Sequence, residues 1–194
     1  MKKILITGGA CAGKTTSLKI IKKFLEEKGY KVLVVEEVPT MLINKGITSQ
    51  KIGRMQFQEL IIKTQIINER EYNDKYKNED KTIVIFDGSP IDCLKFITRK
   101  ELDDIIKNYD ITYDDIIGNY DGIIFLQTIA KKYPELYSNE NNKARLTDVE
   151  EAIKRNDKIL KKYKKYDKTY VINNYKNFDK KEEKIIDSIS KIIK

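Results

Sequence analysis

The octet Gly8-Gly9-Ala10-Cys11-Ala12-Gly13-Lys14-Thr15 reads G-x-x-x-x-G-K-[ST], and it limits the folds open to this chain more than any other feature. It follows the apolar run Lys3 to Thr7 and opens a helical pattern from Lys14 to Lys28, so a strand must turn there directly into a helix. That arrangement is a P-loop. Its glycines let the backbone curl until successive N–H groups point inward, and the helix start adds partial positive charge where phosphates sit. Lys14 is expected to reach the β and γ phosphates of a bound ATP or GTP, and the Thr15 hydroxyl to ligate Mg²⁺. The expected nucleotide-binding segment is Gly8, Gly9, Ala10, Cys11, Ala12, Gly13, Lys14, Thr15 and Thr16. Cys11 reads as a small filler in that loop, the alternative being a redox handle activated by the helix dipole.

Five short β-branched runs recur: Lys3 to Thr7, Val32 to Val35, Thr82 to Phe86, Gly122 to Leu126 and Thr169 to Ile172. They lack in/out alternation, as strands covered on both faces do. Helical patterns lie between them. The first carries Leu18, Ile21 and Leu25 on one face and stops at Gly29; a long one runs from about Arg54 to Lys77. Shorter segments cover Ile91 to Ile97, Glu101 to Asn108 and Tyr113 to Ile117. Thr147 to Tyr166 opens with Thr147 as N-cap and Glu150 three residues on, and a last helix from about Lys180 to Ile193 has an isoleucine stripe. The expected class is α/β, a parallel sheet between helical layers in a single domain spanning residues 1–194. The polar, Asn-rich stretch around 131–146 is expected to be a mobile lid.

Composition removes whole function classes. With 194 residues, 35% charged and 40% hydrophobic, the chain can bury a core. No apolar run approaches the roughly 20 residues of a membrane span, no signal-peptide core follows Met1-Lys2-Lys3, and a cytoplasmic protein is expected. The absence of histidine excludes His-based catalysis, and two isolated cysteines suggest neither a disulfide framework nor a zinc site. The net charge of +8 would suit a polyanion, but only five of the 38 basic residues are arginine and no nucleic-acid-binding motif occurs, so nucleic acid is not an expected partner.

Two further carboxylate positions stand at strand ends. Ile83-Val84-Ile85-Phe86-Asp87 delivers a carboxylate to the carboxyl edge of the sheet, a Walker-B pattern in which Asp87 would hold Mg²⁺. The alternative is a helix-capping aspartate in the Asp87-Gly88-Ser89-Pro90 turn. The second strand ends in Glu36-Glu37 before Val38-Pro39, and phosphoryl transfer to a hydroxyl needs an acceptor for its proton. Neighbouring strand residues face opposite sides, so one of the pair is selected; Glu37 is the expected base.

These pieces, in this order, resemble the AAA-type P-loop family that contains the ribosylnicotinamide kinase domain of NadR and the photoreceptor GTP- and phosphoinositide-binding proteins grouped with it. The resemblance rests on Ile4 to Thr16, Val34 to Ile47, Phe57 to Glu69, Asp87 to Asp92, Lys107 to Leu126, Glu140 to Ala152 and Val171 to Asn174. It implies a Mg²⁺-dependent nucleoside- or nucleotide-kinase-like P-loop fold with strand order 2-3-1-4-5. Residue by residue it implies the phosphate loop at Gly8, Gly13, Lys14 and Thr15, the carboxylate Glu37, the Walker-B acid Asp87 and a lid arginine at Arg145. It also implies an acceptor lying along Gln58, Gln65 and Glu69. The chain departs from the family at Asp87-Gly88-Ser89, where an arginine commonly follows the acid, and at Asn173-Asn174, which leaves base recognition undefined.

Two functions follow as expectations. One is a small-molecule kinase of the nucleoside or riboside type, in which ATP or GTP binds the loop, Glu37 orients the acceptor hydroxyl, and Lys14, Mg²⁺ and Arg145 neutralise the phosphoryl group. The other is a switch that hydrolyses ATP or GTP and binds an anionic phospholipid headgroup. Its support is the basic set Lys154, Arg155, Lys158, Lys161, Lys162 and Lys165 with Tyr163, Tyr166 and Tyr170.

Overall fold

The computed structural model describes residues 1–137 and 148–194. The strands are β1 (Lys2–Gly8), β2 (Lys31–Val35), β3 (Thr82–Asp87), β4 (Gly122–Leu126) and β5 (Thr169–Ile172). The helices are α1 (Lys14–Glu27), α2 (Val38–Asn44), α3 (Ser49–Ile52), α4 (Arg54–Tyr76), α5 (Arg99–Ile106), α6 (Tyr113–Gly118), α7 (Val149–Tyr163) and α8 (Phe178–Ile193). The strands form one parallel sheet in the order β2-β3-β1-β4-β5, as the resemblance implied. β2 runs beside β3 from Lys31 opposite Thr82 to Val35 opposite Phe86, and β4 beside β5 from Ile123 opposite Thr169 to Leu126 opposite Ile172. All of β4 is buried, and so is β3 up to Asp87, as unbroken apolar runs in a two-sided sheet require.

The chain groups into two compact units, Met1–Leu5 with Lys31–Asp121, and Ile6–Tyr30 with Gly122–Lys194. In the first, α4 lays Phe57, Ile61, Ile62 and Ile66 into the core, and Phe86 packs edge-on between Tyr72 and Tyr120. In the second, α1 packs on α8 and buries Ile21 and Leu25, and α8 buries Ile185, Ile189 and Ile192. Gly122 exists to admit that helix, since a Cβ there would lie 2.4 Å from the Ile192 side chain.

Two helices escaped the sequence reading. Pro39, expected to stop the second strand, lies in the first turn of α2, where its missing N–H removes no helical bond; β2 itself ends at Val35. A single turn such as α3 shows no period. The segment expected from Ile91 to Ile97 is a 3-10 helix, Pro90–Lys95. The expected cap Thr147 and the lid positions 138–146 lie outside the described residues; α7 is capped by Asp148, which accepts from the Glu151 N–H at 2.8 Å. The described beginning of the expected lid holds two 3-10 turns, Ile129–Lys131 and Pro134–Leu136.

Candidate active site

In the second unit the phosphate loop takes the backbone its sequence demands. Gly8 has φ +152, Cys11 φ +51, and Gly13 φ +77 in the left-handed region as the N-cap of α1. A Cβ on Gly8 would stand 2.1 Å from the Leu126 carbonyl oxygen, so only glycine allows the loop to pass the end of β4 this closely. The Gly9 N–H then donates to that same carbonyl at 3.1 Å. Thr98, Thr112, Asp148 and Asn177 cap α5, α6, α7 and α8 with side-chain oxygens, whereas among the described residues α1, like α2, α3 and α4, has no side-chain cap and no acid in its first turn, and of these starts it is the one behind the glycine loop. A helix start built that way suits an anion. Lys14 is half-buried at its first position, and Thr15 and Thr16 are exposed.

Behind the loop stands a buried polar network. Thr128 Oγ1 donates to the Ala10 carbonyl at 2.6 Å, and Lys181 Nζ to the Ala12 carbonyl at 2.8 Å and to Asn174 Oδ1 at 3.1 Å. Asn174 Nδ2 donates to the Thr128 carbonyl at 2.6 Å, and the Thr128 N–H to Asn156 Oδ1 at 3.0 Å. Asn156 Nδ2 reaches Gln127 Oε1 and Asp157 Oδ1, and Asp157 pairs with Lys131 at 2.8 Å. Thr128, Asn156 and Lys181 were missed by the sequence reading. One signal was available: Lys181 occupies the core-facing register of α8, at i, i+4, i+8 and i+11 with Ile185, Ile189 and Ile192. Burial pushes the Lys181 ammonium down to about 8.

In the first unit, Asp87 closes β3. The turn that follows is capped by Ser89, whose hydroxyl accepts from the Ile91 N–H at 3.2 Å while Asp92 returns the bond to the Ser89 N–H. Capping, the alternative duty for Asp87, thus belongs to Ser89. A small cavity at the carboxyl ends of β2 and β3 is lined in part by Glu36, Gln65, Asn68, Glu69, Asp87 and Gly88. That is the sheet edge at which α/β proteins bind ligands. Of the expected acceptor-side residues, Gln65 and Glu69 meet here, and Gln58 is buried outside the lining. The Gln65 Oε1 is buried without a hydrogen-bond partner among the described residues.

The strand-end pair separates as the pleat requires. Glu36 is exposed and lines the cavity, whereas Glu37 is half-buried at the N-cap of α2, its Oε2 accepting from Thr40 Oγ1 at 2.6 Å. The expected phosphate-loop residues and the expected acids fall in different units. Arg145 lies outside the described residues. Of the aromatic set expected to serve a lipid surface, Tyr163 is fully buried against Phe125 while Tyr166 and Tyr170 are half-buried, and Arg155 of the basic set is engaged by Glu151 at 2.7 Å.

Glu69 accepts from Asn119 Nδ2 at 2.7 Å and from the Tyr120 hydroxyl. Desolvation raises its carboxyl to about 7 against the opposing pull of those two donors and of Lys3. Because the folded value lies above the unfolded one, the stability this group contributes is full below about 4.5 and is lost as pH rises through about 7. A Glu69→Gln variant can still accept from Asn119 while its own amide donates to the Tyr120 oxygen. It is expected to melt about 3–8 °C above the wild type at pH 8 and to lose most of that advantage at pH 5, checked by thermal melts across that range. A wild-type minus variant difference that does not change with pH would exclude a titrating Glu69.

A family model described as an AAA domain matches residues 3–181. No curated protein matches the chain in sequence. Among solved structures, deoxyadenosine kinase from M. mycoides with bound dATP superposes with a TM-score of 0.59 at 17% identity, covering 97% of this chain and 99% of that one. The same enzyme with the products dCMP and dCDP gives 0.60 at 17%, and with dCTP 0.57 at 20%, over the same shares. At such identities the likeness is one of fold.

Proposed function

The chain belongs to the AAA domain family, and on that premise we propose that it is a phosphotransferase moving the γ phosphoryl of ATP or GTP to the hydroxyl of a nucleoside or riboside. The observation that carries this reading is the phosphate loop itself, a helix start left without side-chain cap or acid behind a loop whose Ala10 and Ala12 carbonyls are bonded outward. Two further findings support a kinase over a hydrolytic switch. The fold is that of deoxyadenosine kinase over nearly the whole chain, and a cavity opens at the strand ends of the first unit. The ribosylnicotinamide kinase resemblance supports the same acceptor class.

Lys14 holds the phosphates as a point charge, and Arg145 adds a second cation at the transferring group. Glu37, its rotamer set by Thr40, takes the proton of the acceptor hydroxyl. The Thr15 hydroxyl and the Asp87 carboxylate are oxygen donors of the kind Mg²⁺ takes beside phosphates and water, and the ion when bound neutralises charge on the phosphates. The test is to incubate the protein and Mg²⁺ with γ-labelled ATP, then GTP, with and without a pool of nucleosides and ribosides. Label in a new organic phosphate is the expected result. Label released only as inorganic phosphate, at a rate indifferent to the pool, would replace the kinase with a hydrolase.

Exchanging Glu37 for Gln is expected to leave ATP affinity within about twofold and cut transfer by roughly 10²–10³-fold, while Glu36→Gln costs less than about tenfold. The reverse ranking would move the base to the neighbouring carboxylate.

A further inference from the structure

We propose that Lys181 is a positioning residue for the phosphate loop: from the first turn of α8 it holds the Ala12 carbonyl, and by holding it aims the Gly13 N–H at the phosphates. The inference rests on the nucleotide-binding reading above.

A trans peptide places its C=O and N–H on opposite sides, and the described chain has no cis peptide. The Ala12 oxygen accepts from Lys181 Nζ at 2.8 Å, so the Gly13 N–H of the same peptide points away from that ammonium. Thr128 Oγ1 does the same to the peptide two residues earlier, holding the Ala10 oxygen and turning the Cys11 N–H the other way. Two alternate peptides of the loop are thus locked from outside by side chains, leaving their N–H groups free of the intraloop flips that would scatter an anion nest. The lock is rigid because Asn174, the second partner of Lys181, is itself tied by its amide to the Thr128 carbonyl.

The choice of lysine points to more than a strut. Lys181 is 6% exposed, both its recorded partners are neutral oxygens, and no described carboxylate pairs with it. A buried cation held in that way costs stability, and a neutral side chain would pack α8 more cheaply. Its ammonium stands within 4 Å of the position a Gly13 Cβ would take, so the charge lies directly beneath the loop that receives a polyanion. There, in a poorly solvated setting, it acts on the phosphates with little screening.

The experiment compares wild type, Lys181→Met, which keeps the stem without donor or charge, and Lys181→Arg, which keeps both. The probes are inorganic triphosphate and ATP with Mg²⁺, titrated calorimetrically, together with the Gly13 amide resonance in ¹⁵N-labelled protein. The Met variant is expected to bind both probes about tenfold or more weakly without melting lower than wild type, and the Arg variant to recover binding to within about threefold. In wild type, triphosphate is expected to move the Gly13 amide strongly downfield, and in the Met variant by less than half as much. Equal affinities in wild type and a folded Met variant overturn the proposal, as does a lowered melting temperature with unchanged affinity, which would make Lys181 a structural residue only. Should the Met variant not fold, a wild-type Gly13 amide indifferent to saturating triphosphate overturns it without any variant, and a large shift lost in no folded variant but the uncharged Lys181→Gln supports it. A wild type that binds neither probe instead brings down the nucleotide-binding reading on which the proposal stands.

Discussion

Lys14→Ala is expected to lower turnover of ATP or GTP by roughly 10³-fold or more while leaving the protein folded. Lys14 is the first residue of α1, half-buried, with the loop's N–H groups just before it, and those groups carry only partial charges. A full positive charge on a mobile stem is what they lack, and removing it takes away the one group able to follow charge onto the transferring phosphoryl. No other described residue can substitute, because the next buried cation in the unit, Lys181, is committed to the Ala12 carbonyl on the other side of the loop peptide. Alanine is a strong helix former at that position, so the melting temperature is expected to move by no more than about 2–4 °C. Turnover measured beside a thermal melt separates the two effects. Turnover at the wild-type rate in a folded variant would remove the phosphate loop from the chemistry altogether.

Gly8→Ala should act on the fold before it acts on the reaction. The added methyl carbon would meet the Leu126 carbonyl oxygen at 2.1 Å and its carbonyl carbon at 2.9 Å, and φ of +152 is a conformation that L side chains rarely adopt. Both contacts are with backbone at the carboxyl end of β4, which cannot rotate aside as a side-chain tip would. Overpacking and backbone strain together make a loss of about 3–5 kcal/mol, which for a chain of this size is a fall of roughly 6–20 °C in melting temperature. The Gly9 bond to Leu126 would be lost with the displaced loop, so the nucleotide affinity of whatever remains folded should fall as well. A variant that melts within about 2 °C of wild type would show that the loop does not pass β4 this closely.

The strands were readable because each is a short apolar run bounded by polar residues, and both β3 and β4 start and end within a residue of the runs Thr82 to Phe86 and Gly122 to Leu126. The phosphate loop was readable for a different reason. Gly13 answers a steric demand that belongs to the loop's own backbone, the left-handed turn that precedes a helix. Less regular segments gave weaker signals. Pro39 carries two meanings, strand end and first helical turn, and the residues around it cannot choose between them. Asp87 read either as a metal ligand or as the cap of the turn that follows it, and it is the Ser89 hydroxyl that holds the Ile91 N–H.

Chemistry that depends on one stretch of chain, then, was settled locally: the five strands, the turn of Gly8 to Thr15, and the absence of histidine are properties of adjacent residues or of the whole composition. What surrounds the loop was not, because its parts come from far apart. Thr128 reaches Ala10 across 118 positions and Lys181 reaches Ala12 across 169, while Glu69 finds Asn119 across 50. Read in sequence, each is a polar residue in an otherwise ordinary run. Folding withdraws them from water, and a desolvated donor must find an acceptor, so Lys181 settles on a loop carbonyl and Glu69 gathers two donors yet keeps a carboxyl raised to about 7. Burial and partnership at those distances exist only once the sheet has brought the segments together.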